Sequence, residues 1–202
     1  MIFEGTVLVG PEYGPVEGRV VVEDGYITAI EETQARTNDL IVPAFVNAHT
    51  HVGDSIAKEV GGGLSLKELV APPDGLKHRL LDQASREDVV DAIRRSLGFM
   101  ERTGTAAFLD FRENGVEGVK RLREAANHRA IQALVFARGS VAAMEAGEGF
   151  GASGAHDGEF SPQRTAARQA EKPFAIHAGE ASPSDVNAAL DLDPDFLVHM
   201  VH

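Results

Sequence analysis

The sequence predicts an α/β protein: a parallel sheet fed by repeated strand–helix units, preceded by a small all-β segment. Three observations carry this reading. From Leu40 onward compact apolar runs recur, each followed by a longer stretch with helical spacing, which is the signature of βα units. Before Leu40 the runs are short, closely spaced and joined by turn residues. The chain of 202 residues, 43% hydrophobic and 25% charged, has the size and apolar fraction of a globular domain, which excludes a disordered or collagen-like chain.

The first strands are expected at Ile2 to Val9, Gly18 to Glu23 and Tyr26 to Glu31, with Asp24-Gly25 as the hairpin turn. Six strands of a parallel sheet follow: Leu40 to Val46, Ala106 to Phe111, Ile131 to Ala137, a weaker Phe150 to Ser153, Pro173 to Ala178, and Phe196 to Val201. Between them Ser85 is placed to cap a helix in which Val89, Ile93, Leu97 and Met100 recur at helical spacing until Gly104 stops it. Further helices are expected over Val116 to Asn127, over Pro162 to Glu171 after a Ser161 cap, and over Ser184 to Leu190 after Pro183. The stretch Ser55 to Leu81, with Gly61-Gly62-Gly63 and Pro72-Pro73, is too long for an ordinary strand-to-helix connection and predicts a functional loop or lid.

Charge narrows the function classes. With 31 acidic against 19 basic residues the formal charge is −12, a sign that repels phosphate backbones and anionic lipids, so neither a nucleic acid nor a membrane is expected as partner. No run approaches the ~18 apolar residues of a spanning helix. The N-terminus Met1-Ile2-Phe3-Glu4-Gly5 lacks the features of a secretory signal, which predicts a cytoplasmic protein. The absence of cysteine removes thiolate ligands and thiol nucleophiles, leaving the eight histidines with Asp and Glu for any metal chemistry.

Three strands end in histidines. The run Val42-Pro43-Ala44-Phe45-Val46-Asn47-Ala48-His49-Thr50-His51 closes the first with two imidazoles two residues apart, which period 2 places on one face, where both can bind one divalent ion. The bland reading is a loop motif. Pro173 to Ala178 runs through His177, a third candidate ligand, into Gly179-Glu180, whose carboxylate can move protons between an activated water and substrate; alone, the pair reads rather as a satisfied loop histidine and a helix-capping glutamate, and His49 and His51 reverse that preference. The sixth strand carries His199, suited to orienting water or gripping substrate, and ends at His202, a supporting group. In a parallel β/α barrel these carboxyl ends converge on the rim where active sites form. Arg112 and Glu113 follow the second strand on that rim, and Asp54, Lys77 and His78 belong to the long loop, so Arg112, Lys77, His78 and His202 are candidate substrate contacts, with a salt-bridged rim as the alternative for Arg112 and Glu113. Asp110, His128, His156 and Asp157 read as structural.

This set, Val42-Pro43-Ala44-Phe45-Val46-Asn47-Ala48-His49-Thr50-His51 with His177-Ala178-Gly179-Glu180 and His199, resembles the amidohydrolase superfamily, in particular its mononuclear cytosine-deaminase-like and chlorohydrolase-like branch. The resemblance implies a (β/α)8 TIM-type barrel, here strands one to six over residues 42–202, with residues 1–41 as the N-terminal part of a small flanking β-sandwich. It implies one divalent metal, Zn²⁺ or Fe²⁺, on His49, His51 and His177, with Glu180 and His199 catalytic. No lysine lies between Gly139 and Glu171 to bridge a second ion, and Glu148 and Glu159 are weak candidates for that role. The implied reaction is hydrolysis of a non-peptide C–N bond of a small molecule by metal-activated water, foremost deamination of a purine- or pyrimidine-like ring, with cyclic-amide hydrolysis or ring dechlorination as alternatives. The family's barrel has eight units and an aspartate ligand on the eighth strand, so the resemblance also implies completion by a longer chain or a second copy, or a noncatalytic binding or assembly module.

Overall fold

The computed structural model describes residues 1–202 other than Pro72 and Ala181. The chain forms two compact units, Met1–Ala44 and Phe45–His202.

In the first unit, strands β1 (Ile2–Val9), β2 (Gly14–Glu23), β3 (Tyr26–Glu32) and β4 (Leu40–Ile41) form one sheet in the order β3-β2-β1-β4. β1/β2 and β2/β3 pair antiparallel, and β4 adds parallel to β1. The expected strand Leu40 to Val46 therefore does not exist as one element. Pro43 has no N–H for a ladder and restricts the residue before it, so the run breaks and its ends join different sheets.

The second unit holds β5 (Phe45–Thr50), β6 (Thr105–Arg112), β7 (Gln132–Ala137), β8 (Gly149–Gly154), β9 (Phe174–Ala178) and β10 (Phe196–His199). They pair in parallel and in strict sequence order, β5 to β10. A helix follows each strand up to β9, the singly wound arrangement of a β/α barrel. The excursion after β5 contains a 3₁₀ turn at Val52–Ala57 and helices α1 (Leu66–Val70) and α2 (Leu76–Gln83), before α3 (Arg86–Arg102). The expected loop over Ser55 to Leu81 is thus about half helical, and its Pro72 lies outside the described residues. Ser65 starts α1 with a reciprocal capping box to Glu68.

α4 (Gly115–Ala126), α5 (Val141–Ala146), α6 (Ser161–Gln169) and α7 (Val186–Leu190) complete the connections. Ser161 is the first residue of α6 rather than its cap, a place taken by Phe160, and the expected helix from Ser184 opens as a 3₁₀ turn at Pro183–Asp185.

Strand alternation divides the core. On the helix side of β6 and β7, Phe108 and Val135 pack with Ile93 and Leu97 of α3 and Leu122 of α4; Phe150, Phe174 and Ile176 form a second cluster with Met144, Ala167 and Ala189. On the other face Phe111, Phe136 and Ala175, with Leu109 and Val198, form the apolar floor beneath the strand ends. Among the described residues no helix is long and apolar enough to cross a membrane.

Candidate metal centre

The carboxyl ends of β5, β9 and β10 bring their histidines to one point. His49 Nε2 lies 3.2 Å from His51 Nε2 and 3.2 Å from His177 Nε2, and the latter two are also 3.2 Å apart. His49, His177 and His199 offer nitrogens within 4.8 Å of one another. The shared face expected of His49 and His51 is realised although His51 stands beyond the strand, at the start of the 3₁₀ turn.

Asp110 holds that turn. From the buried helix side of β6 its Oδ1 accepts Val52 N–H at 2.6 Å and Thr50 Oγ1–H at 3.0 Å, fixing the backbone on both sides of His51. Gly53 then lets the Arg112 guanidinium lie against the main chain, where any Cβ would overlap it. Gly53→Ala is accordingly expected to lower the urea midpoint, by about 1–3 kcal/mol of overpacking; an unchanged midpoint would contradict this packing.

His199 reaches the cluster by a different device. Val198 packs on the apolar floor, so simple alternation would turn His199 away from it. A φ of 74° at His199, in the left-handed region, reverses the direction, and its ring lies 4.7 Å from that of His49. Its Nε2 is 3.4 Å from Glu180 Oε2. Glu180 is itself turned in by Gly179, whose φ of 65° suits glycine and whose N–H donates to Asp185 Oδ1.

Burial sets the protonation of the cluster. It lowers His49 to about 4, helped by His51, His199 and Lys77, and lowers His177 to about 2, helped by His51 and Arg138, against the hydrogen bond to Ala152 that favours charge. The unfolded chain protonates these imidazoles near pH 6.5 whereas the folded one refuses the proton. Stability of the metal-free chain is therefore expected to be full above pH 6.5 and to fall from there as the unfolded state takes up protons, toward pH 4 on account of His49 and on toward pH 2 on account of His177. Urea midpoints at pH 7 and pH 5 check the sign, and a higher midpoint at pH 5 would contradict it.

A cavity of about 390 Å³ opens over the cluster, lined by His49, His51, His177, His199 and Glu180 together with Asp54, Lys77, Arg138 and Asp157. Lys77 reaches in from α2 and pairs with Asp54 Oδ2 at 2.9 Å and Glu113 Oε1 at 2.7 Å. The other expected substrate contacts stand elsewhere. Arg112, 2% exposed, is buried between Asp110 at 3.4 Å and Glu113 at 2.6 Å and does not line the cavity. His78 Nε2 bonds the Val70 carbonyl at 3.2 Å, joining α2 to α1, and His202 is exposed outside the cavity lining. Glu148, weighed for a second metal, is engaged by Arg123 and by Val135 N–H away from the histidines. Asp157, read from the sequence as structural, stands on the wall, and so does Arg138, which the sequence did not single out; Arg138 lies immediately past the end of β7, the position at which rim residues occur.

The comparisons with known proteins agree with this architecture. A model of the amidohydrolase family matches residues 40–196. The chain belongs to the amidohydrolase family. Two archaeal relatives are each provisionally named an aminohydrolase. One, from Methanothermobacter thermautotrophicus, is 38% identical over 70% of this chain and 38% of its own; the other, from Archaeoglobus fulgidus, is 35% identical over 93% and 56%. This amidohydrolase chain thus spans about half the length of the curated relatives it matches. Among solved structures it is similar to E. coli guanine deaminase, with a TM-score of 0.63 and 17% identity over 100% of this chain and 62% of that one. It is equally similar to an atrazine chlorohydrolase from Arthrobacter aurescens TC1 complexed with zinc, with a TM-score of 0.63 and 14% identity over 95% and 55%. At such identities the likeness is one of fold.

Proposed function

We propose that this amidohydrolase chain carries a mononuclear metal site on His49, His51 and His177, zinc foremost and Fe²⁺ as the alternative, serving hydrolysis of a C–N bond in a small heterocyclic amine. The carrying observation is the triangle of Nε2 atoms. His177 Nδ1 lies 2.7 Å from the Ala152 carbonyl and His51 Nδ1 lies 3.2 Å from Glu113 Oε1, so in the neutral rings both Nδ1 atoms carry the hydrogen and both Nε2 atoms present bare lone pairs to each other. Two lone pairs 3.2 Å apart repel unless a cation lies between them. Nitrogens held at about 2.0–2.1 Å in a tetrahedral zinc site stand about 3.3–3.4 Å apart, close to the spacing seen. The donor set therefore fits a divalent ion.

Such an ion supplies a Lewis acid that acidifies a water and polarises the electrophilic carbon. The remaining work falls to the chain. Glu180, on the cavity wall, takes the proton from the attacking water and returns it to the departing nitrogen. His199, held by Glu180 at 3.4 Å, donates to or orients the group under attack. Phe111, with its ring centroid 4.6 Å from that of His177, closes the floor against water. Residues 1–41 are read as part of a flanking sandwich and 42–202 as the first six barrel strands.

The test is ammonia release by the zinc-reconstituted chain from a panel of amino-substituted purines and pyrimidines. Glu180→Gln is expected to lower release by roughly 10²–10⁴-fold with zinc still bound. Chloride from a chlorinated ring, or ring opening of a cyclic amide, in place of ammonia would move the assignment to the alternative hydrolyses. A zinc-loaded chain that turns over none of them would contradict the reading and leave a binding module.

A further inference from the structure

Glu113 is the most heavily shared group in the second unit, and the hydrolytic reaction does not use it. It is 4% exposed, just past β6. Its Oε2 accepts from Arg112 at 2.6 Å. Its Oε1 lies behind the cavity wall and meets three donors, all from residues that line the cavity: His51 Nδ1 at 3.2 Å, Lys77 Nζ at 2.7 Å and Arg138 Nη1 at 3.0 Å. We propose that Glu113 is a positioning residue for both halves of the cavity, one carboxylate oxygen setting the His51 ring toward the metal while it holds Lys77 and Arg138 along the substrate wall.

The inference rests on the metal-site reading above and extends it. An imidazole can present Nε2 as a ligand only if its hydrogen is on Nδ1, and a buried carboxylate at Nδ1 selects that tautomer and fixes the ring plane. Neutralising Arg112 would need only Oε2. The convergence of an imidazole, an ammonium and a guanidinium on the second oxygen is the feature that a purely structural ion pair leaves unexplained. The consequence for substrate is chemical. Lys77 and Arg138 carry N–H donors and no acceptor, so the wall they form suits a substrate that presents a carbonyl oxygen or bare ring nitrogen on the edge facing them.

Two measurements on the full chain test this without reliance on turnover. Long-range ¹H–¹⁵N spectra of the imidazoles in the metal-free chain at neutral pH should show His51 as the Nδ1–H tautomer. Zinc competition with a chromophoric chelator should show Glu113→Asp and Glu113→Gln weakened by roughly 10–100-fold, with His51 a mixture of tautomers. Glu148→Gln, a charge loss outside the cavity, should bind zinc like the parent. Glu113→Asp keeps a charge beside Arg112 but draws the oxygen back from His51, so it decides the matter if Glu113→Gln does not fold. The parent spectrum decides it if neither variant does. A folded Glu113→Asp chain with parental zinc affinity and an unchanged tautomer, or a parent whose His51 is Nε2–H, would overturn the proposal. Failure of the parent itself to bind zinc would instead overturn the metal-site reading.

Discussion

Replacing His177 with alanine is expected to abolish stoichiometric zinc binding while leaving the chain folded. His177 contributes one of three Nε2 atoms spaced at 3.2 Å, and its ring is fixed by the Ala152 carbonyl at 2.7 Å, so the position cannot be refilled by a neighbouring side chain without moving β9. The loss should exceed the roughly 10–100-fold that removal of an outer partner of a metal ligand costs. The fold should survive because the substitution removes a neutral, half-buried imidazole and leaves no unpaired charge behind. Chelator competition reads the affinity and circular dichroism the fold. A variant that retains one zinc at parental affinity would contradict the assignment of the triangle.

Arg112→Met is expected to produce the largest loss of stability among the site residues. The guanidinium is buried between Asp110 and Glu113, and it supports two opposite conditions. Burial raises Glu113, yet Arg112, with His51 and Lys77, holds it well below the usual carboxylate range; burial raises Asp110 in spite of Arg112 and the Val52 N–H. Removing the cation leaves Asp110 and Glu113 buried with one partner fewer, a defect that costs about 3–5 kcal/mol in comparable pairs. Lys77 and Arg138 remain beside Glu113 and limit the damage at that end. Had Arg112 faced the substrate, the same variant would keep its urea midpoint and alter only binding. A parental midpoint would therefore contradict the buried-clamp account.

The parts of this fold that rest on periodicity were legible in the sequence. The helix from Ser85, with its apolar stripe Val89, Ile93 and Leu97, is α3, and His49 and His51 share a face as period 2 requires. What escaped depends on breaks in periodicity. Pro43 splits an apolar run that looks continuous, and α5 has only six residues after its Ser140 cap, too few for a helical period to show. His199 reaches the cluster only through a positive φ, which no spacing rule records, although its residue type was the signal that singled it out. Arg112 and Arg138 show the same limit for charge. Arg112 is the last residue of β6 and Arg138 the first after β7, but one points to the helix side against Gly53 and the other lines the cavity, a distinction made by neighbours far away in sequence.

X-ray absorption at the zinc edge on the reconstituted chain tests the central claim most directly. The account predicts one zinc per chain with three imidazole nitrogens at about 2.0–2.1 Å, and loss of the signal on His177→Ala. A folded chain that takes up no zinc, or a shell of oxygen ligands without imidazole, would contradict it.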